Sequence, residues 1–144
     1  MADFLYDVYR GNIMGKDTHS FVDVEDDTLG VFFVDEADDT PNQTTDEDAA
    51  DRAAAAQVPS FASAPNLTGV TVTLASNRSV LDATDLTFSA LSGDQVESFD
   101  LFKDTGTDTT SVLILNMDTA TGLPLTPSGG DVVIVWNVSG IFRI

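Results

Sequence analysis

Carboxylates are the one reactive group this chain holds in quantity, and they come in runs: Asp23-Val24-Glu25-Asp26-Asp27, Asp35-Glu36-Ala37-Asp38-Asp39 and Asp104-Thr105-Gly106-Thr107-Asp108. Such runs raise calcium first, since that ion takes roughly 6–8 oxygen ligands at about 2.3–2.6 Å. The loop that binds it alternates Asp and Asn around a glycine and closes on a bidentate Glu, and none of the three runs has that order. Solvated loops are the expectation, with no metal ligands. Paired carboxylates also serve glycoside hydrolysis, but that chemistry needs a cleft that raises one pKa and aromatic walls for the sugar. Among twenty-four acids, pairs arise by chance. The single histidine, His19, sits in the polar stretch from Lys16 to Thr28 and is expected at the surface, because acid–base or metal work needs partners fixed around it. No Gly-x-Ser-x-Gly elbow occurs, and Ser128-Gly129-Gly130-Asp131 precedes a strand rather than a helix, which makes it a turn and not a phosphate loop. There is no cysteine, hence no thiolate ligand, thiol nucleophile or disulfide. The expectation is no catalytic residue, no cofactor and no enzyme.

The charge balance narrows the partners. Twenty-four acids against six Lys and Arg give −18, and the first sixty residues hold fifteen of those acids and three of the bases. Nucleic acid and anionic membrane are disfavoured, since both are recognised by clustered Lys and Arg. The acid excess reads as solubility and mutual repulsion. At 144 residues the chain suits one domain, and its 42% hydrophobic content with nine Phe and one Trp is enough for a core. No apolar run approaches the roughly 20 residues of a membrane helix. Met1-Ala2-Asp3 opens with an acid, without a basic region or long apolar stretch, so a secretory signal is not expected.

The elements that would position any site are mostly strands. Ser111 to Met117 and Asp131 to Asn137 are β-branched-rich and apolar on both side-chain parities, which predicts central strands with both faces covered, joined as a hairpin over 110–144 with a short tail strand. Leu29-Gly30-Val31-Phe32-Phe33-Val34 reads the same way. Either the chain covers those second faces itself or a partner does. Val70-Thr71-Val72-Thr73-Leu74 and Leu86-Thr87-Phe88-Ser89-Ala90 alternate apolar and polar, the pattern of a sheet with one wet face, and turns recur every eight to twelve residues. Phe4, Leu5, Val8 and Tyr9 have helical spacing, with Asp3 as N-cap and Gly11 as stop. Thr45 to Gln57 is the best intrinsic helix, capped by Thr45, acidic in its first turn and carried by alanine. The predicted fold is mainly β: an antiparallel β-sandwich or barrel (jelly-roll or immunoglobulin-like) with a short N-terminal helix and one Ala-rich helix. Residues 1–28 form an N-terminal arm or helix, which either plugs one end of the sandwich or reaches a neighbouring subunit, and 29–144 form the sandwich with an acidic helical insertion at 36–58.

Two strings carry a resemblance: Phe102-Lys103-Asp104-Thr105-Gly106-Thr107-Asp108-Thr109-Thr110-Ser111-Val112-Leu113-Ile114, and Thr121-Gly122-Leu123-Pro124-Leu125-Thr126-Pro127-Ser128-Gly129-Gly130-Asp131. With the closing Ile141-Phe142-Arg143-Ile144, they resemble a family of small, acidic, cysteine-free virion proteins of tailed bacteriophages. The likeness runs from Leu29 to Ile144, and the acid-rich segment from Asp35 to Asp51 departs from it. It implies a capsid decoration, or cement, protein on the outer capsid surface of the virion, made in the host cytoplasm, with the major capsid protein and sister copies (a homodimer or homotrimer) as partners. Phe4, Leu5, Tyr6, Tyr9, Ile141, Phe142 and Ile144 are the candidate capsid or inter-subunit contacts, with Asp35 to Asp51 facing solvent. A tail or receptor-binding component is the alternative, for which aromatic residues on loops would be expected; only Tyr6, Tyr9 and Trp136 qualify, and Trp136 reads as core. A calcium-dependent binding module is a further rival.

Overall fold

The computed structural model describes residues 2–13, 24–75 and 78–144. Its spine is the strand Leu29–Val34 (β2), buried at every position. Leu29, Val31 and Phe33 enter one hydrophobic core, whereas Phe32 and Val34 enter another. β2 runs antiparallel to Ser98–Lys103 (β7), which in turn pairs with Leu113–Met117 (β8). Short strands close the two sides, Phe4–Leu5 (β1) on β8 and Gln57–Val58 (β3) on β2, for the order β1-β8-β7-β2-β3. One bulge breaks the register. Leu101 faces Leu115 but Phe102 faces Leu113, so Ile114 is the extra residue and joins Leu115 in the same core.

Two smaller antiparallel sheets cover one face. Thr71–Ala75 (β4), Arg78–Asp82 (β5) and Phe142–Arg143 (β10) form the first, in the order β10-β5-β4. Leu86–Phe88 (β6) and Val132–Ile134 (β9) form the second. Leu81, Leu86 and Phe88 pack with Phe33, Phe99 and Leu101, and this is the main core. The architecture is sandwich-like and mainly β, as predicted, although Leu74 and Ala90, expected to face inward by the alternation, are exposed, and among the described residues no sheet closes into a barrel. Thr87 points out between buried Leu86 and Phe88. Among the described residues no helix is long and apolar enough to cross a membrane.

The chain covers its own second face. Residues of the acid- and alanine-rich stretch, Ala49 and Ala56 with Phe61 and Ala64 beside them, close a smaller core on Phe32, Val34, Phe102 and Leu113.

Four expectations are corrected. The helix over Thr45 to Gln57 is absent; a single 3-10 turn, Ala49–Asp51, stands in its place, and the insertion at 36–58 is otherwise irregular apart from β3. The predicted hairpin between the two long apolar runs does not form, because β7 and β1 occupy both hydrogen-bonding edges of β8. β9 pairs only with β6 and leaves Val133 and Val135 exposed, so the second run is not a doubly covered strand. The N-terminal helix (α1) spans Asp7–Ile13, with Phe4 and Leu5 as strand ahead of it and Gly11 inside it. Asp3 caps nothing: its carboxylate accepts from the backbone N–H groups of Asp118 and Thr119 and from the Thr119 hydroxyl. Those bonds outweigh its partial burial and hold its pKa below the ordinary value. Residues 4–13 pack on the sandwich, with β1 paired to β8 and Tyr9 in the main core. His19, most of the polar stretch around it, and Asp23 of the first acidic run lie outside the described residues.

Candidate functional site

The seven residues expected at contacts are divided by the fold. Tyr6, Tyr9 and Ile141 are buried within this chain. Phe4, Leu5 and Phe142 are half-buried, Phe4 edge-on to Tyr6 and Phe142 edge-on to Tyr9. Ile144 is exposed, at the end of the tail strand that adds to β5. The apolar tail is thus chiefly the last edge strand of the domain's own sheet, and Gly140 allows its approach. That glycine has φ +93, and a Cβ on it would stand 2.7 Å from the Leu81 carbonyl oxygen.

The ionisable groups that the fold does assemble lie beneath the acidic segment. Arg52 is buried to 1% exposure. Its Nε donates to Asp100 Oδ2 at 3.1 Å, its Nη2 donates to Asp46 Oδ2 at 2.8 Å and to the Tyr6 hydroxyl at 3.0 Å, and its Nη1 lies 3.1 Å from Asp39 Oδ2. Asp100, itself fully buried on β7, also accepts from the Tyr6 hydroxyl at 2.8 Å and from Asn116 Nδ2 at 2.9 Å. Burial opposes the Arg52 charge, yet Asp100 above all, with Tyr6 and Asp46, holds its pKa above the ordinary value. Burial raises the Asp100 carboxyl while Arg52, Asn116 and Tyr6 pull it back. Burial, with the Asp100 carboxylate beside it, pushes the Tyr6 hydroxyl well up, so it stays a donor. The Arg52 and Asp100 side chains have no exposed surface, while those of Asp39 and Asp46 keep 26% and 13%.

This cluster stands where the helix was expected, with Arg52 reaching Asp100 of β7. Asp48 and Asp51 cap a single turn reciprocally, Ala49 N–H donates to Ser111 O, and Leu113 N–H donates to Glu47 O, so the segment leans on β8. Asp39 also accepts from Ala53 N–H and Asp46 from Asn42 N–H, which winds the coil around the guanidinium. Asp35 and Asp46 do not face solvent freely as expected: Asp35 is buried and Asp46 is spent on Arg52. A sequence signal did exist. Arg52 is the sole base between Lys16 and Arg78, and Ser98 and Asp100 share the parity of β7 opposite Phe99 and Leu101.

Replacing Tyr6 with Phe is expected to destabilise the fold by about 1.5–3 kcal/mol, the worth of hydrogen bonds to charged groups, since it strips a donor from Asp100 and an acceptor from Arg52. Urea unfolding measures it. A loss within about 0.5 kcal/mol, the scale of an ordinary surface change, would show that the hydroxyl is not part of the lock.

The surface offers a different feature. A half-open groove of about 510 Å³ runs between the main core and the segments 120–125 and 132–137, floored by Phe33 and Phe99 and walled by Leu123, Leu125 and Trp136. None of its sixteen lining residues is charged. Trp136 is fixed edge-on to Phe99 with its Nε1–H donating to Thr84 O. The groove belongs to an unusual part of the chain. Thirteen of the sixteen lining residues come from 119–142, which carry only Asp131 as a charged side chain in a protein of thirty charged groups. Val133 and Val135 lie exposed along it, and Val138 stands 97% exposed at the turn between two lining residues, Asn137 and Gly140. Among the described residues no three acidic or histidine side chains converge as a metal site would require. Compared with known protein families and with curated proteins, the chain matches none.

Proposed function

We propose that this protein works by surface fit, as a capsid decoration (cement) protein of a tailed-bacteriophage virion that binds the outer capsid surface and ties capsomers together. The observation that carries the binding reading is the uncharged apolar groove, flanked by exposed Val133, Val135 and Val138, on a chain of net charge −18. Apolar surface left open on an otherwise highly charged chain marks a contact. The sequence likeness across Leu29 to Ile144 supplies the capsid as the setting, with the major capsid protein as partner. The burial of Arg52 and Asp100 is in keeping with the same reading, since these two charges meet each other rather than solvent. Of the anticipated contacts, Ile144 and the open sides of Phe4, Leu5 and Phe142 remain available to the capsid. A cement protein gains strength from many weak copies on a lattice, so each contact can be modest.

Purified protein mixed with empty phage shells is expected to sediment with them up to a fixed ratio of copies per capsomer. A map of the virion should then place it regularly over the head. Failure to bind shells would end this reading, and density confined to the tail would replace it with the tail or receptor-binding alternative.

A further inference from the structure

We propose that the open edge of β4 is a second docking surface, which takes one extended, basic segment of a different protein as an added strand. The edge lies outside the groove and stands as a contact whether or not the groove meets a capsid.

Hydrogen-bond direction is the first reason. β4 ends the sheet β10-β5-β4, and among the described residues nothing pairs with its far side. Ser79 of β5 spends both its N–H and its C=O on Ile144, and the Leu81 C=O accepts from Ile141 N–H at 2.7 Å. Backbone groups in an antiparallel ladder alternate sides residue by residue, so Leu74 and Val72, which lie opposite Ser79 and Leu81, aim their N–H and C=O groups away from β5. Two donors and two acceptors therefore line the open edge, the template for a further strand. Length and composition are the second reason. The strands that end the other sheet sides, β1, β3, β6, β9 and β10, are two or three residues long, which blunts them as templates. β4 has five residues in unbroken register with β5, with no charge, proline or bulge to guard them. Leu74 shares the side of Val72, which packs on the main core, yet it is 81% exposed. The hairpin thus overhangs what the chain places beneath it, and an added strand would cover that apolar side chain. Charge is the third reason and selects the partner. A sister copy would bring a second body of net charge −18 alongside, whereas a basic segment is drawn in by the same field and finds no cation on β4 to oppose it.

Amide hydrogen exchange read by NMR tests it, with the acetylated and amidated peptide Lys-Thr-Val-Thr-Val-Thr-Lys as the probe. In the free protein the Val72 and Leu74 amides are expected to exchange quickly, and the Thr73 amide, which faces β5, slowly. Excess peptide should slow Val72 and Leu74 by at least about tenfold and leave Thr73 as it was. The same peptide with Glu at both ends should protect them far less. Leu74→Pro deletes an outward donor without touching a bond to β5, and should abolish the protection, with slow Thr73 exchange certifying the fold. Where proline disturbs the hairpin, Leu74→Lys keeps the backbone and repels the probe, and should weaken binding by at least about tenfold. Val72 and Leu74 amides already protected in the free protein overturn the proposal, because the edge is then covered. A peptide at millimolar concentration that leaves their exchange unchanged overturns it as well. Protection that grows with the protein's own concentration, without peptide, overturns it too and gives the edge to a sister copy. An acidic peptide that protects as well as the basic one overturns the basic partner. Failure to bind phage shells defeats the capsid reading alone, since the peptide reports on this edge without them.

Discussion

Arg52→Ala is expected to destabilise the protein by about 3–5 kcal/mol, the cost of leaving a buried carboxylate without its counter-charge. Asp100 is fully buried, and among the described residues losing Arg52 removes the one cation that reaches it, leaving donors such as Tyr6 and Asn116. Against a typical stability of about 5–15 kcal/mol this is a large share. The loss also frees Asp39 and Asp46, so the coil over 36–58 should loosen from the sheet before the sandwich itself opens. Lysine cannot substitute, because Nε, Nη1 and Nη2 of Arg52 each reach a different carboxylate and an ammonium has no such fork. The decisive comparison is a double replacement. Arg52→Met with Asp100→Asn removes both charges, keeps the bulk, and preserves partners for Tyr6 and Asn116, so it should recover much of what Arg52→Met alone loses. Urea midpoints at constant slope read the cycle. No recovery in the double variant would mean that Asp100 is not the charge Arg52 compensates.

Gly30→Ala is expected to cost about 1–3 kcal/mol through overpacking. A Cβ at Gly30 would stand 2.4 Å from Phe102 Cζ and 3.0 Å from Asn66 Oδ1. Ordinarily the end of a side chain would swing away. Phe102 is held between Phe32 and Phe61, with ring centroids 5.1 and 5.2 Å away, and is itself almost fully buried. Shortening the ring should therefore relieve the clash, and Gly30→Ala with Phe102→Leu should cost less than the two single changes summed. Gly130→Ala serves as the control, since nothing lies within 4 Å of its would-be Cβ. Thermal melts of the four variants decide it. A Gly30→Ala chain as stable as wild type would show that the second core has room to yield.

The strands were legible where burial follows a local pattern. β6 alternates as its Leu86-Thr87-Phe88 spelling requires, and β2 is buried on both sides as its unbroken apolar run requires. The same spelling misled at 131–137. An apolar run is compatible with two covered faces or with one covered face and one left open, and local sequence does not distinguish them. β9 is the second kind, because β8 had no free edge to offer. The Ala-rich stretch misled in the opposite direction. Helix propensity is a weak prior that tertiary context overrides, and here the segment instead brings Arg52 to Asp100 of β7.

By itself, the amino-acid order determined the β-rich class, the lack of thiol chemistry, the acid excess and the two-faced burial of β2, since composition and side-chain parity are local properties. Tertiary structure decided what covers that second face, which acids are paired and which apolar residues stay open. Those outcomes depend on segments far apart in the chain meeting in space: Tyr6 with Asp100, Arg52 with β7, and 120–125 with 132–137 across the groove. Whether a buried charge is stable, or an apolar side chain is covered, is a property of the neighbours it finds there, and no spacing along the sequence specifies them.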